Sequence, residues 1–203
     1  WTGDLHGQDQ LHRHPDAASL IELISAQAWA YLQALGFDAT RTALHLQRCW
    51  PVVSEPGQII GRHHHPNAHL SAVYYLNGDG SGRSGCLRLW PPNPINELVP
   101  GLAVGHGGPI DPESAGGRRW NAPWIDVAPR AGLLLLFPSR LEHGVLANED
   151  GDTRFSISLD FCLSAPGSDT APERPTAEYL APHPASWQEC RAPAKPVPPC
   201  PQG

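Results

Sequence analysis

Only one stretch of the chain repeats its apolar residues at helical spacing. Leu20, Ile21, Ile24, Ala28, Leu32 and Leu35 recur every three or four positions. Ser19-Leu-Ile-Glu22 has the form of a capping box, Asp16 is a rival cap, and Gly36 supplies a stop. The pattern predicts an amphipathic helix over about 16–35, able to cover a sheet with one face. Elsewhere the period shortens to two. Thr42–Val53 alternates loosely, and Leu70–Leu76 (LSAVYYL) is rich in β-branched and aromatic residues. The glycine-rich turn Asn77–Gly82 and the short run Gly85–Trp90 follow it, which reads as a β-hairpin. Trp124–Val127 predicts a short strand, and Gly132–Phe137 (GLLLLF) a strand buried on both faces. Arg154–Phe161 alternates strictly: Phe155, Ile157, Leu159 and Phe161 share one face, Arg154, Ser156, Ser158 and Asp160 the other. Several short strands, one covering helix and a polar inner face predict a mainly β fold, a sandwich or jelly roll.

Composition narrows the classes. Pro (23) and Gly (20) are abundant in 203 residues, which argues against a helical bundle. A net charge of −6 argues against a surface that neutralises nucleic-acid phosphates. No apolar run approaches the ~18 residues that span a bilayer. Five cysteines, widely spaced and without a CxxC, suit a reducing cytoplasm better than a disulfide scaffold or a thiolate zinc site. Residues 1–165 read as one domain and 166–203 as a Pro-rich extension. Within the domain, residues 91–123 have no period and are too long for a passive connection, so they read as a lid or binding loop. His106, Arg118, Arg119, Trp120 and Trp124 lie in or beside it; Arg118, Arg119, Trp120 and Trp124 could receive an anionic or aromatic substrate.

Histidine is frequent, and the chemistry starts there. Arg62-His-His-His-Pro-Asn-Ala-His69 immediately precedes the LSAVYYL strand. On extended backbone His63 and His65 point to one side and His64 to the other, so two imidazoles can reach one metal ion. A further imidazole, His143, follows the GLLLLF strand, and Arg154 opens the alternating strand.

In this ordered set the sequence resembles the iron(II)/2-oxoglutarate-dependent oxygenases, in particular the prolyl-hydroxylase-like branch and a bacterial group with an HxHPN…SGVYYL pattern. The residues that carry the resemblance are His63-His64-His65-Pro66-Asn67, Ser71–Asn77, Gly85–Trp90, Pro129–Pro138, His143 and Arg154–Phe161. It implies a double-stranded β-helix (jelly roll, cupin-like) with an N-terminal covering helix. It implies Fe(II) as cofactor and 2-oxoglutarate and O2 as cosubstrates, with succinate and CO2 as co-products of a hydroxylation. The substrate would be a small molecule or an amino-acid side chain; no nucleic acid or membrane is expected, and a homodimer is compatible with the sequence. Carried over, His63 and His143 match the family's two histidine ligands, and Arg154 matches the arginine that clamps the far carboxylate of 2-oxoglutarate. Ser156 and Tyr75 would stand beside it.

The family's carboxylate position is occupied by His65. Three solutions are open: a three-histidine site of His63, His65 and His143, as in thiol dioxygenases; a shifted register with His65 first and Asn67 second; or a carboxylate from elsewhere, such as Asp79. His65 would also fill the gap that halogenases of the family leave for halide. Two alternative functions remain: a cupin-like three-histidine dioxygenase that does not use 2-oxoglutarate, and a non-catalytic metal-binding module.

Overall fold

Two antiparallel sheets organise the computed structural model, which describes residues 1–92, 124–166 and 187–193. In chain order the elements are α1 (Ala18–Ala34), β1 (Ala43–Ser54), β2 (Ile60–His63), β3 (Leu70–Tyr75), β4 (Leu87–Trp90), β5 (Ile125–Val127), β6 (Leu134–Pro138), β7 (Glu142–Val145), β8 (Arg154–Ser164) and β9 (Gln188–Cys190). One sheet runs β6-β3-β8-β1-β9 and the other β2-β7-β4-β5. This is the jelly-roll arrangement expected from the pattern, with one long helix on the outside.

The alternation of β8 divides the molecule. Ile157, Leu159 and Phe161 pack outward against Ile21, Ile24, Ala28, Trp29 and Leu32 of α1, with Leu44 and Leu46 of β1 in the same cluster. Arg154, Ser156 and Ser158 line the interior between the sheets. Phe155 departs from this scheme and is 43% exposed, because it opens the strand beyond the helix's cover. Leu159 is fully buried. Leu159→Ala should therefore cost about 3 kcal/mol through lost transfer energy and an unfilled cavity. A lowered urea midpoint with an unchanged slope checks this.

Four expectations change. The helix starts at Ala18 rather than at a capped Ser19: a 3₁₀ turn at Pro15–Ala17 leads directly into it, and no side chain caps Ala17. Its end is as expected, with Gly36 at φ +90° and Phe37 N–H donating to Leu32 O, a Schellman closure. The hairpin is not formed. β3 and β4 lie in different sheets, because Asn77–Gly82 crosses between them instead of folding back. Gly80 N–H donates to Pro129 O and Ala131 N–H to Gly78 O, so the turn is pinned to the chain before β6. The GLLLLF run is not buried on both faces. It forms the edge strand β6, where Leu134, Leu135 and Leu136 are half-buried. Finally, the Pro-rich extension contributes β9, which pairs with Leu44–Leu46 of β1. Trp29 Nε1–H donates to Cys190 O at 2.5 Å and ties that strand to α1.

Among the described residues no helix is long and apolar enough to cross a membrane. Cys49, Cys86, Cys162 and Cys190 are all free thiols.

Candidate metal and cosubstrate site

A cavity of about 470 Å³ opens between the sheets, within the size range of small-molecule sites. His63, His65, His143, Arg154, Tyr75 and Ser156 all line it. Residues separated by up to 93 positions in sequence thus meet in one cavity, from both sheets.

Strand register explains the imidazole cluster. β2 pairs with β7 so that His63 stands opposite His143. Their ring centroids are 4.3 Å apart, those of His63 and His65 5.3 Å, and those of His65 and His143 5.0 Å. One ligand nitrogen from each ring lies within 4.8 Å of the others. The Nδ1 atoms identify which nitrogen is open. His63 Nδ1 is 2.8 Å from Gly61 O, and His143 Nδ1 is 2.8 Å from Leu141 O. Both carbonyls lie two residues back in the chain. His65 Nδ1 is 2.6 Å from Asp160 Oδ1. A carbonyl or carboxylate can only accept, so each Nδ1 carries a proton, and Nε2 is the nitrogen left to ligate. Three imidazole nitrogens this close together suit a divalent first-row metal ion.

Burial keeps His143 neutral. It is 4% exposed, with the Phe137 ring edge-on at 4.9 Å. Burial pushes its pKa down to about 4, against the partial support of the Leu141 carbonyl, and the neighbouring His63 and His65 push the same way.

Arg154 is 2% exposed. Its Nη1 donates to Ser84 O at 2.8 Å and Gly85 O at 2.9 Å, while its Nε has no hydrogen-bond partner. Burial lowers its pKa, with Tyr75 and Cys86 opposing. Among the described residues no carboxylate pairs with it. A buried guanidinium without an anion is costly, and a dicarboxylate would relieve that cost. Tyr75 is equally buried; burial raises its pKa to about 12, against the pull of Arg154, so it stays a protonated hydroxyl.

Gly85 makes this possible. Its φ is +90°, and a Cβ there would stand 2.4 Å from Leu146 O and 2.9 Å from Arg154 Nη1. Gly85→Ala should lower stability by about 2 kcal/mol from backbone strain alone. It should also weaken capture of a dicarboxylate by displacing Arg154. Thermal melting and a 2-oxoglutarate titration on the same preparation check both parts.

The other candidates lie apart. Asn67 is exposed and its carbonyl accepts from Cys162 Sγ. Asp79 is exposed, held below the usual carboxylate range by hydrogen bonds from Ser81. Neither lines the cavity. Among the described residues the one carboxylate that does is Asp4, which takes the Thr2 hydroxyl and is not grouped with the imidazoles. Trp124 does not line the cavity either; the Arg88 guanidinium lies 4.3 Å over its ring, and Asp126 holds Arg88. His106, Arg118, Arg119 and Trp120 lie outside the described residues.

One functional candidate escaped the sequence reading. Asp160 is completely buried and sits behind His65. Burial pushes its pKa up, but hydrogen bonds from His65, Arg48 and Ser71 outweigh it and hold the carboxyl below its ordinary value. The signal was its place on the Arg154 face of β8, at the third alternate position after it.

Among solved structures, the alpha ketoglutarate dependent carbocyclase SnoK from nogalamycin biosynthesis superposes with a TM-score of 0.52 at 16% identity, covering 88% of this chain and 72% of that one. The epimerase SnoN, in complex with Fe3+, alpha ketoglutarate and nogalamycin RO, gives a TM-score of 0.46 at 19% identity, covering 73% and 66%. A 2OG-Fe(II) oxygenase family oxidoreductase from Burkholderia pseudomallei gives 0.42 at 16%, covering 61% of this chain; the match spans about half of that protein, 47%. At these identities the carbocyclase speaks for the fold alone. No curated protein sequence matches the chain. A family model described as "Putative 2OG-Fe(II) oxygenase" matches residues 48–160, a span that contains all three imidazoles, Arg154 and Asp160. By that match over more than half its length, the chain belongs to the 2OG-Fe(II) oxygenase family, whose members use iron(II) and 2-oxoglutarate.

Proposed function

We propose that this chain holds iron(II) on the Nε2 atoms of His63, His65 and His143 and 2-oxoglutarate on Arg154, and hydroxylates a small molecule or an amino-acid side chain. The overall balance is R–H + 2-oxoglutarate + O2 → R–OH + succinate + CO2. When bound, the iron supplies the O2 chemistry that couples decarboxylation of the cosubstrate to oxidation of the substrate. The chain's own residues do the rest. The imidazoles would hold the ion and leave room beside it for the cosubstrate. Arg154 offers a planar fork to the far carboxylate, which lysine could not copy. Tyr75 and Ser156 offer neutral hydroxyls to the same end of the cosubstrate. Leu87, Phe137 and Val145 add apolar walls to the same cavity.

One observation carries the reading: a buried guanidinium that no carboxylate among the described residues pairs with shares a cavity with three clustered imidazoles. The test is succinate release from 2-oxoglutarate in the presence of Fe(II) and O2, before any substrate is identified. No release above a metal-free control would sink it.

Among the described residues no carboxylate joins the imidazole cluster, which favours a second reading, a cupin-like dioxygenase in which Arg154 binds a carboxylate of the substrate itself. Anaerobic addition of 2-oxoglutarate to the Fe(II)-loaded protein separates the two. A visible charge-transfer band belongs to the first reading and its absence to the second.

A further inference from the structure

His63 and His143 each give their Nδ1 proton to a backbone carbonyl, but His65 gives its proton to a carboxylate. His65 is also the residue that stands where the resemblance expects an acidic ligand. Asp160 reaches it from β8, in the opposite sheet, and every oxygen of that carboxylate is committed. Oδ1 accepts from His65 Nδ1 at 2.6 Å and from Ser71 Oγ at 2.9 Å; Oδ2 accepts from Arg48 Nη2 at 2.8 Å. Ser71 is itself held by Ser139 Oγ at 2.9 Å, and Arg48 lies 4.9 Å over the Trp50 ring. Such a network, with its carboxylate fully buried and hydrogen-bonded at both oxygens, holds His65 and Ser71 firmly in place, although Arg48 Nε makes no hydrogen bond.

We infer that Asp160 is a positioning residue that lends its carboxylate to the metal through His65. It locks the ring in the Nδ1–H tautomer, aims Nε2 into the cavity and makes that nitrogen a stronger donor. The acidic group missing from the ligand set is thereby retained one hydrogen bond further out. The same carboxylate joins the site to Arg48, so the inner wall of β1 is tied to the ligand set as well. This rests on the reading that the three imidazoles hold the metal.

Asp160→Asn tests it with almost no change of volume. Only one acceptor oxygen then remains for three donors, Arg48 on one side and His65 with Ser71 on the other. The amide NH2 must face one of them, and facing His65 Nδ1 it drives the ring to the tautomer that cannot ligate. Outer partners of this kind are worth about 10- to 100-fold in metal affinity. Anaerobic titration with Mn(II), and the visible spectrum of the Co(II)-loaded protein, are measured for the parent chain and for D160N.

The inference expects one tight Mn(II) per parent chain, 10- to 100-fold weaker binding in D160N, and an altered Co(II) spectrum. Equal affinity within twofold together with an unchanged spectrum overturns it and leaves the three-imidazole reading standing. Failure of the parent chain to bind Mn(II) stoichiometrically overturns both. If D160N does not fold, the Zn(II)-loaded parent chain decides by ¹⁵N NMR of its histidine rings. A His65 ring protonated at Nδ1 and metal-bound at Nε2 supports the role, and the reverse arrangement excludes it.

Discussion

Arg154→Met should bind 2-oxoglutarate at least a hundredfold more weakly than the parent chain and yet fold as well or better. Both halves come from one fact: a guanidinium 2% exposed has two backbone carbonyls for company and no carboxylate among the described residues. Removing one partner of a buried, hydrogen-bonded charge pair costs about 2–5 kcal/mol of binding. A hundredfold corresponds to about 3 kcal/mol, near the lower part of that range. In the absence of the cosubstrate the same charge is a burden on the fold, so an apolar side chain of similar length relieves it. Arg154→Lys separates charge from shape, since it retains the cation but loses the planar fork. Anaerobic calorimetry with Mn(II) present reads the affinity, and thermal melting reads the stability. Undiminished binding by R154M would remove Arg154 from the cosubstrate site.

His143→Ala should abolish both tight metal binding and succinate formation. His143 is the cross-strand partner of His63 and the most buried of the three rings. Its removal leaves two nitrogens on one short segment, His63 and His65, too few to define a face of the ion. Binding of Mn(II) should weaken by at least a hundredfold, and 2-oxoglutarate turnover should fall to the level without metal. The Phe137 ring loses a neighbour, so a modest loss of stability accompanies the change, about 1–2 kcal/mol. Circular dichroism and melting confirm that the fold persists. Equal turnover by H143A and the parent chain would take His143 out of the reaction.

Local patterns and tertiary events were legible to different degrees. The 3.6-residue period gave α1, and the strict alternation of β8 gave both its faces, because each pattern is written in neighbouring residues. The pairing of His63 and His65 followed from extended backbone for the same reason. Sheet membership was not legible in this way. LSAVYYL followed by a glycine-rich turn looks the same whether the chain folds back or crosses to the other sheet, and only the pinning of Gly78 and Gly80 at Pro129–Ala131 decides. Likewise, four leucines in a row announce burial but not whether the strand is central or, like β6, at an edge. Asp160 was hidden for a third reason. A lone aspartate at the end of an alternating face carries no sign that a histidine 95 positions earlier will meet it.

The placement of the three rings has one more effect. His63 and His143 stand on the β2–β7 pair, while His65 is fastened to β8 through Asp160 and, through its own N–H, to Ser139 O just past β6. The cluster therefore straddles the seam where the two sheets meet. A cation drawn between these nitrogens would act as a rivet, stitching one half of the barrel to the other. Chelation would then be felt as mechanical loosening of the whole sandwich and not only as lost chemistry.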